Sequence, residues 1–181
     1  MKKLRTALIV SLFSSAILFA LSARSTRSQA PISKASNDKC AIRFHSLSKY
    51  KSDWWSRIFS DREVGPALRA LLTRDYRLLK ESLQRVTYPD SLSFVDKNGV
   101  LTLEGGAQHL FTIMEAKLII EPCGNIYALI LDEGKRFLYF TNDQKYVDKL
   151  PPAIEEWRID VESRRSQPTE VPKLPIVFRN K

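Results

Sequence analysis

Across residues 115–141 the chain switches between apolar runs and short polar breaks. The runs are 116–120, 126–131 and 137–140. The breaks are Pro122-Cys123-Gly124-Asn125 and Asp132-Glu133-Gly134-Lys135. Each run has the length of a buried strand, and each break combines Gly with Pro, Asn or Asp, the residues that supply turn dihedrals. The pattern predicts a three-stranded meander with two tight turns. Its middle run is apolar on both faces, with Ile126, Ala128 and Ile130 on one and Tyr127, Leu129 and Leu131 on the other. Such a strand is covered on both sides, either by helices or by a second copy in a homodimer.

Upstream, stretches 91–95 and 100–104 alternate apolar and polar positions around Asp96-Lys97-Asn98-Gly99, a strong hairpin signal. Gly105-Gly106 then predicts the end of the strand, and 107–114 fits a short helix or an extended connection equally. Residues 61–86 have helical spacing, with Leu68, Leu71, Leu72, Tyr76, Leu79, Leu83 and Val86 on one stripe. Asp61 suits an N-cap and Pro66 the first turns. Thr73-Arg74-Asp75 could cap a second helix, so the segment reads as one helix or two. Arg69, Arg74, Arg77, Lys80, Glu81 and Arg85 hold the polar faces. A last helix is expected over 153–163, after Pro151-Pro152, with Ile154, Trp157 and Val161 on its inner face. Residues 39–45 suit a short edge strand through Ile42 and Phe44. Trp54-Trp55, beside Ile58 and Phe59, serve either as core or as an aromatic contact patch. The fold class is therefore α+β: an antiparallel sheet of about five strands packed with N-terminal and C-terminal helices.

The ends read differently. Lys2, Lys3 and Arg5 precede an uncharged run at 7–23 that closes on Ala20-Leu21-Ser22-Ala23, the pattern of a secretory signal peptide, with an uncleaved anchor as the alternative. Residues 1–23 are thus a signal segment, 24–37 a polar leader, 38–165 a single domain and 166–181 a Pro-rich tail. Within the tail, residues 176–178 either dock or stay loose. Five of the 29 basic residues and none of the 20 acidic ones lie in the first 30 positions, so the remainder carries +4 rather than the +9 of the whole chain. That excess does not argue for nucleic acid. After cleavage no membrane-inserted segment is expected. Export would place the two cysteines, Cys40 and Cys123, in an oxidising space where a pair usually bridges, with two unpaired thiols as the alternative. A 40–123 bond would close a long loop, a constraint of roughly 4–5 kcal/mol in the chain-entropy account.

Chemistry is sparse. No nucleophile elbow, P-loop, dinucleotide fingerprint or zinc-protease motif is present. The histidines are His45 and His109. A Cys123–His109 nucleophile pair would need a free thiolate. Glu104 with Glu115, or Asp132 with Glu133, are the acid pairs a glycoside hydrolase could use. Asn142, Asp143 and Asp148 form no recognised metal loop. No catalytic residue, metal or cofactor is therefore assigned. A binding module remains, with a disulfide-held turn as its contact. Glu121, Pro122, Gly124 and Asn125 would be fixed before a partner arrives, and Asp132, Glu133 and Lys135 of the second turn would add to them.

Asp75-Tyr76, the stretch 92–105, the stretch 116–131, Tyr139-Phe140-Thr141-Asn142-Asp143 and the stretch 149–157 together resemble a family of small exported proteobacterial proteins. The Cys-containing turn between two strands is similar to that of the periplasmic inhibitor of vertebrate lysozyme, whose Cys-bridged loop carries a His. Here the turn holds no His and one Cys. In size and design the chain also resembles immunity proteins against periplasmic type VI secretion toxins. The resemblance implies a periplasmic protein that binds and blocks a secreted toxin or hydrolase. An envelope hydrolase using an acid pair and a non-catalytic assembly module are the alternatives.

Overall fold

A computed structural model describes residues 43–44, 47–50, 55–84, 94–107, 110, 113–165 and 173–179. The expected signal segment and leader, Cys40, His45, Trp54 and His109 lie outside the described residues, as does the side chain of Trp55. The described elements are 3-10 turns at Leu47–Tyr50 and Trp55–Ser60, helix α1 (Val64–Leu72), a 3-10 turn at Thr73–Asp75 and helix α2 (Tyr76–Gln84). Strands β1 (Phe94–Val95), β2 (Leu101–Gly106), β3 (Glu115–Ile120), β4 (Ile126–Asp132) and β5 (Arg136–Thr141) follow. A 3-10 turn at Gln144–Tyr146, helix α3 (Pro152–Arg165) and strand β6 (Ile176–Phe178) complete the chain.

The six strands form one sheet in sequence order, antiparallel from β1 to β5. β6 adds in parallel to β5, after the crossover through α3. The α+β class holds, and the meander lies where the apolar runs place it. The sheet has one strand more than expected, because residues 176–178 of the stretch read as a tail dock as β6. β2 also runs through Gly105 and Gly106, which pair with Ala116 and Glu115. Glycine forgoes side-chain packing but keeps both backbone hydrogen-bonding groups, so the full-length neighbour β3 carries the ladder through.

Each face of the sheet has its own core. On one face Leu101, Leu103, Leu118, Ile120, Ala128, Ile130, Leu138 and Phe140 pack with Ile58, Leu68, Leu72, Leu79 and Leu83 from the N-terminal helical layer. On the other, Ile119, Leu129, Leu131, Phe137 and Tyr139 pack with Ile154, Trp157 and Val161 of α3. Helices of the same chain thus cover both faces of β4, and its apolar residues need no second copy.

The helical segment is two helices. Asp61 Oδ1 accepts from the amides of Glu63 (2.8 Å) and Val64 (2.9 Å), ahead of α1. Thr73 then turns the chain at φ 49°, ψ −113° before α2 begins. On the far side, Arg158 of α3 is nearly buried between Glu155 and Glu162, with Nη2–Oε1 and Nη1–Oε2 distances of 2.6 Å. Glu162 also accepts from the amide of Leu174 (2.9 Å), which brings in β6. Arg164 clamps the buried Glu115 at 2.8 Å.

Residues 43–44 and 47–50 form a strap over the first core. Arg43 and Phe44 are not strand. Both amides donate to one acceptor, the carbonyl oxygen of Pro122, at 2.9 and 3.2 Å. Phe44, Leu47 and Tyr50 are 3–4 % exposed. Burying three such side chains is worth roughly 5–9 kcal/mol, against roughly 6–12 kcal/mol for ordering the backbone of six residues.

Candidate functional site

The turn between β3 and β4 is built by its own sequence. Pro122 supplies a fixed φ and Gly124 takes φ +93°, which a side chain would strain. The Gly124 amide donates to the Glu121 carbonyl (2.9 Å), and the Glu121 amide to the Asn125 carbonyl (2.9 Å). This is a three-residue hairpin connection with a left-handed glycine.

Neighbours then hold it from three directions. The strap hangs from Pro122, and a β-carbon on Gly124 would stand 2.7 Å from Cδ of Arg43. The β1–β2 turn abuts it, with Gly99 so close that a β-carbon there would meet Pro122 Cγ at 3.2 Å. Asn142, just past β5, bridges the turn to the sheet. Its Nδ2 donates to the Gly124 carbonyl and its Oδ1 accepts from the Ile126 amide, both at 2.8 Å. Cys123 is in a disulfide. The chain's other cysteine is Cys40, outside the described residues.

The side chains here form a polar network. Asn125 donates to the Glu121 carboxylate (2.8 Å), and the Tyr127 hydroxyl donates to Asp143 (2.7 Å). Burial pushes the Glu121 carboxyl above the usual range. Nearby Asp143 adds to this, while the Asn125 hydrogen bond and Lys145 oppose it. Burial, reinforced by Asp143, raises the Tyr127 hydroxyl beyond titration near neutral pH. Tyr127 stacks edge-on with Tyr146 (5.8 Å), and the Lys145 and Lys149 ammoniums lie 5.1 and 5.8 Å from the Tyr146 ring centroid. Asn142, Gln144 and Lys145 are exposed, while Glu121, Pro122, Cys123 and Asn125 are half-buried.

The second expected group lies elsewhere. Asp132, Glu133 and Lys135 sit at the other end of β4, whose seven residues span about 20 Å. They are also paired with near neighbours, Glu133 with Lys135 (2.7 Å) and Asp132 with Arg136 (2.8 Å). One compact contact does not include both turns. That far end also carries a shallow cleft of about 260 Å³ lined by Arg77, Glu81, Ala107, Leu110 and Met114. Its two charged walls bond each other, Arg77 to Glu81 at 2.7 Å.

The residues read from the sequence as candidate chemistry are engaged, both at the end of the sheet tied by the strap and away from it. The Cys123 sulfur is bonded and so is not a thiolate nucleophile. Of the acid pairs, Glu115 is clamped by Arg164 and Glu104 is bridged to Lys117 at 2.6 Å. Asn142 and Asp143 are engaged with the turn and Tyr127, and among the described residues no group of His, Cys, Asp and Glu could hold a metal ion. The arrangement presents fixed, partly exposed polar groups around one turn. The bridging role of Asn142 escaped sequence reasoning. Its signal is an Asn-Asp pair directly after an apolar strand, where side chains commonly bond nearby backbone.

No family model, curated protein or solved structure matches the chain. Among the described residues, no helix is long and apolar enough to cross a membrane.

Proposed function

We propose that the protein is a periplasmic binding protein that blocks a secreted toxin or hydrolase through the tied end of its sheet. The observation that supports this reading is the immobilisation of the Glu121–Asn125 turn by a disulfide, the strap and the Asn142 bridge. A surface fixed before binding loses little conformational freedom on association. Pro122 and Asn125 together with Asn142, Gln144 and Lys145 make up the contact in this proposal. The residues at 132–135 are left out of it, since they lie a strand's length away. Export rests on the pattern of residues 1–23.

The test is affinity co-purification of the full chain from the periplasm of its own bacterium, comparing wild type with a Gln144→Arg, Lys145→Glu variant. Both side chains are exposed, so circular dichroism should be unchanged. Co-purification of a secreted enzyme whose activity is inhibited, lost in the variant, is the expected result. Retention of the enzyme by the variant would remove the tied end from the contact.

A further inference from the structure

The strap and the contact turn are joined at one point. Arg43 and Phe44 donate their amides to Pro122, and the adjacent Cys123 is in a disulfide. Gly124 has no side chain where Arg43 lies against it. Elsewhere the strap is held by burial of Phe44, Leu47 and Tyr50, by Lys49 on Asp61 at 2.5 Å and by the Tyr50 hydroxyl on Asp61. That burial and the ordering of the segment are of similar size. The strap takes no part in the pairing of the sheet. The β2–β5 ladders are complete without it, α1 and α2 cover the rest of the first core, and α3 covers the second.

We infer that the strap is a redox latch: the Cys123 disulfide holds residues 43–44 and 47–50 on the core and the Glu121–Asn125 turn in its binding shape, and reduction releases both while the sheet stays folded. Closing the latch is a thiol–disulfide exchange. Two thiols of the chain give up two electrons and two protons to a disulfide donor, which leaves as a dithiol. A dithiol reductant reverses the step and departs as its own disulfide. The chain would then acquire its contact surface only in an oxidising compartment. That consequence rests on the turn being the contact, whereas the latch does not. A test without a partner therefore lets each fail separately.

The test is amide hydrogen exchange on the full-length chain, oxidised and in excess dithiothreitol, for wild type and Thr73→Gly. The second protein relieves a strained residue away from the strap and so keeps the sheet folded if the reduced wild type melts. In the reduced state exchange at Arg43 and Phe44 is expected to accelerate about a hundred-fold or more, while β3–β5 ladder amides change by less than about three-fold. This pattern in either protein supports the latch. Uniform acceleration of strap and ladder that persists in Thr73→Gly, or unchanged protection at Arg43 and Phe44 in both proteins, would overturn it.

Discussion

Two carboxylates set opposite pH slopes. Burial disfavours the Asp61 carboxylate, but Lys49, the Tyr50 hydroxyl and the amides of Val64 and Glu63 outweigh it and hold the group well below its ordinary 3.8. Its stabilising effect is complete above that ordinary value and is lost as pH falls through the lower folded-state value. Asp61→Ala should therefore cost about 1–2 kcal/mol at neutral pH through the lost cap, and thermal melts should show the gap to wild type closing in acid. Glu121 behaves in reverse. Its raised folded-state value means that ionisation opposes folding as pH rises through it. Glu121→Gln keeps an acceptor for Asn125 and should melt higher than wild type at pH 7, with the advantage vanishing on acidification. Among the described residues, Thr73 and Glu133 hold positive φ without being glycine, both at 49°. Thr73→Gly and Glu133→Gly should each stabilise by about 1 kcal/mol in urea unfolding. Substitutions that leave stability unchanged or lower it would show that those conformations carry no strain.

At the level of elements, α3 and β6 act together. Arg158 stands between Glu155 and Glu162, and Glu162 in turn binds the Leu174 amide next to β6. Arg158→Ala takes the cation from a buried carboxylate and should cost about 3–5 kcal/mol, whereas Arg158→Met, which refills the space, should cost less than Arg158→Ala. The Ala variant should also speed hydrogen exchange at Arg179, whose amide pairs with Tyr139. The meander, the helix at 153–163 and the Asp61 cap were legible in the sequence because periodicity and turn residues are local signals. β6 was legible only as a docking option, since three apolar residues among prolines carry no register. Its parallel pairing follows from where α3 returns the chain. The run of β2 through Gly105 and Gly106 was hidden for a similar reason: pairing with β3 overrides a local break signal. The turn at 121–125 is legible from its Pro, Gly and Asn, but the strap on Pro122 and the Asn142 bridge are long-range contacts that no spacing announces.

At the scale of the molecule, the strap, three turns, the Asn142 bridge and the disulfide meet at one end of the sheet. The opposite end has no disulfide among the described residues; it carries the ion pairs Asp132–Arg136 and Glu133–Lys135, with Gly134 hydrogen-bonded to Ile113 and Arg165. This asymmetry gives the binding proposal a direction. It can be read by placing the photo-crosslinking amino acid benzoylphenylalanine at single positions in the full chain, in its own bacterium, at Gln144 on the tied end or at Glu133 on the far end. The account expects a discrete protein adduct from position 144 and none from position 133. An adduct from position 133 alone, or equal adducts from both, would contradict it.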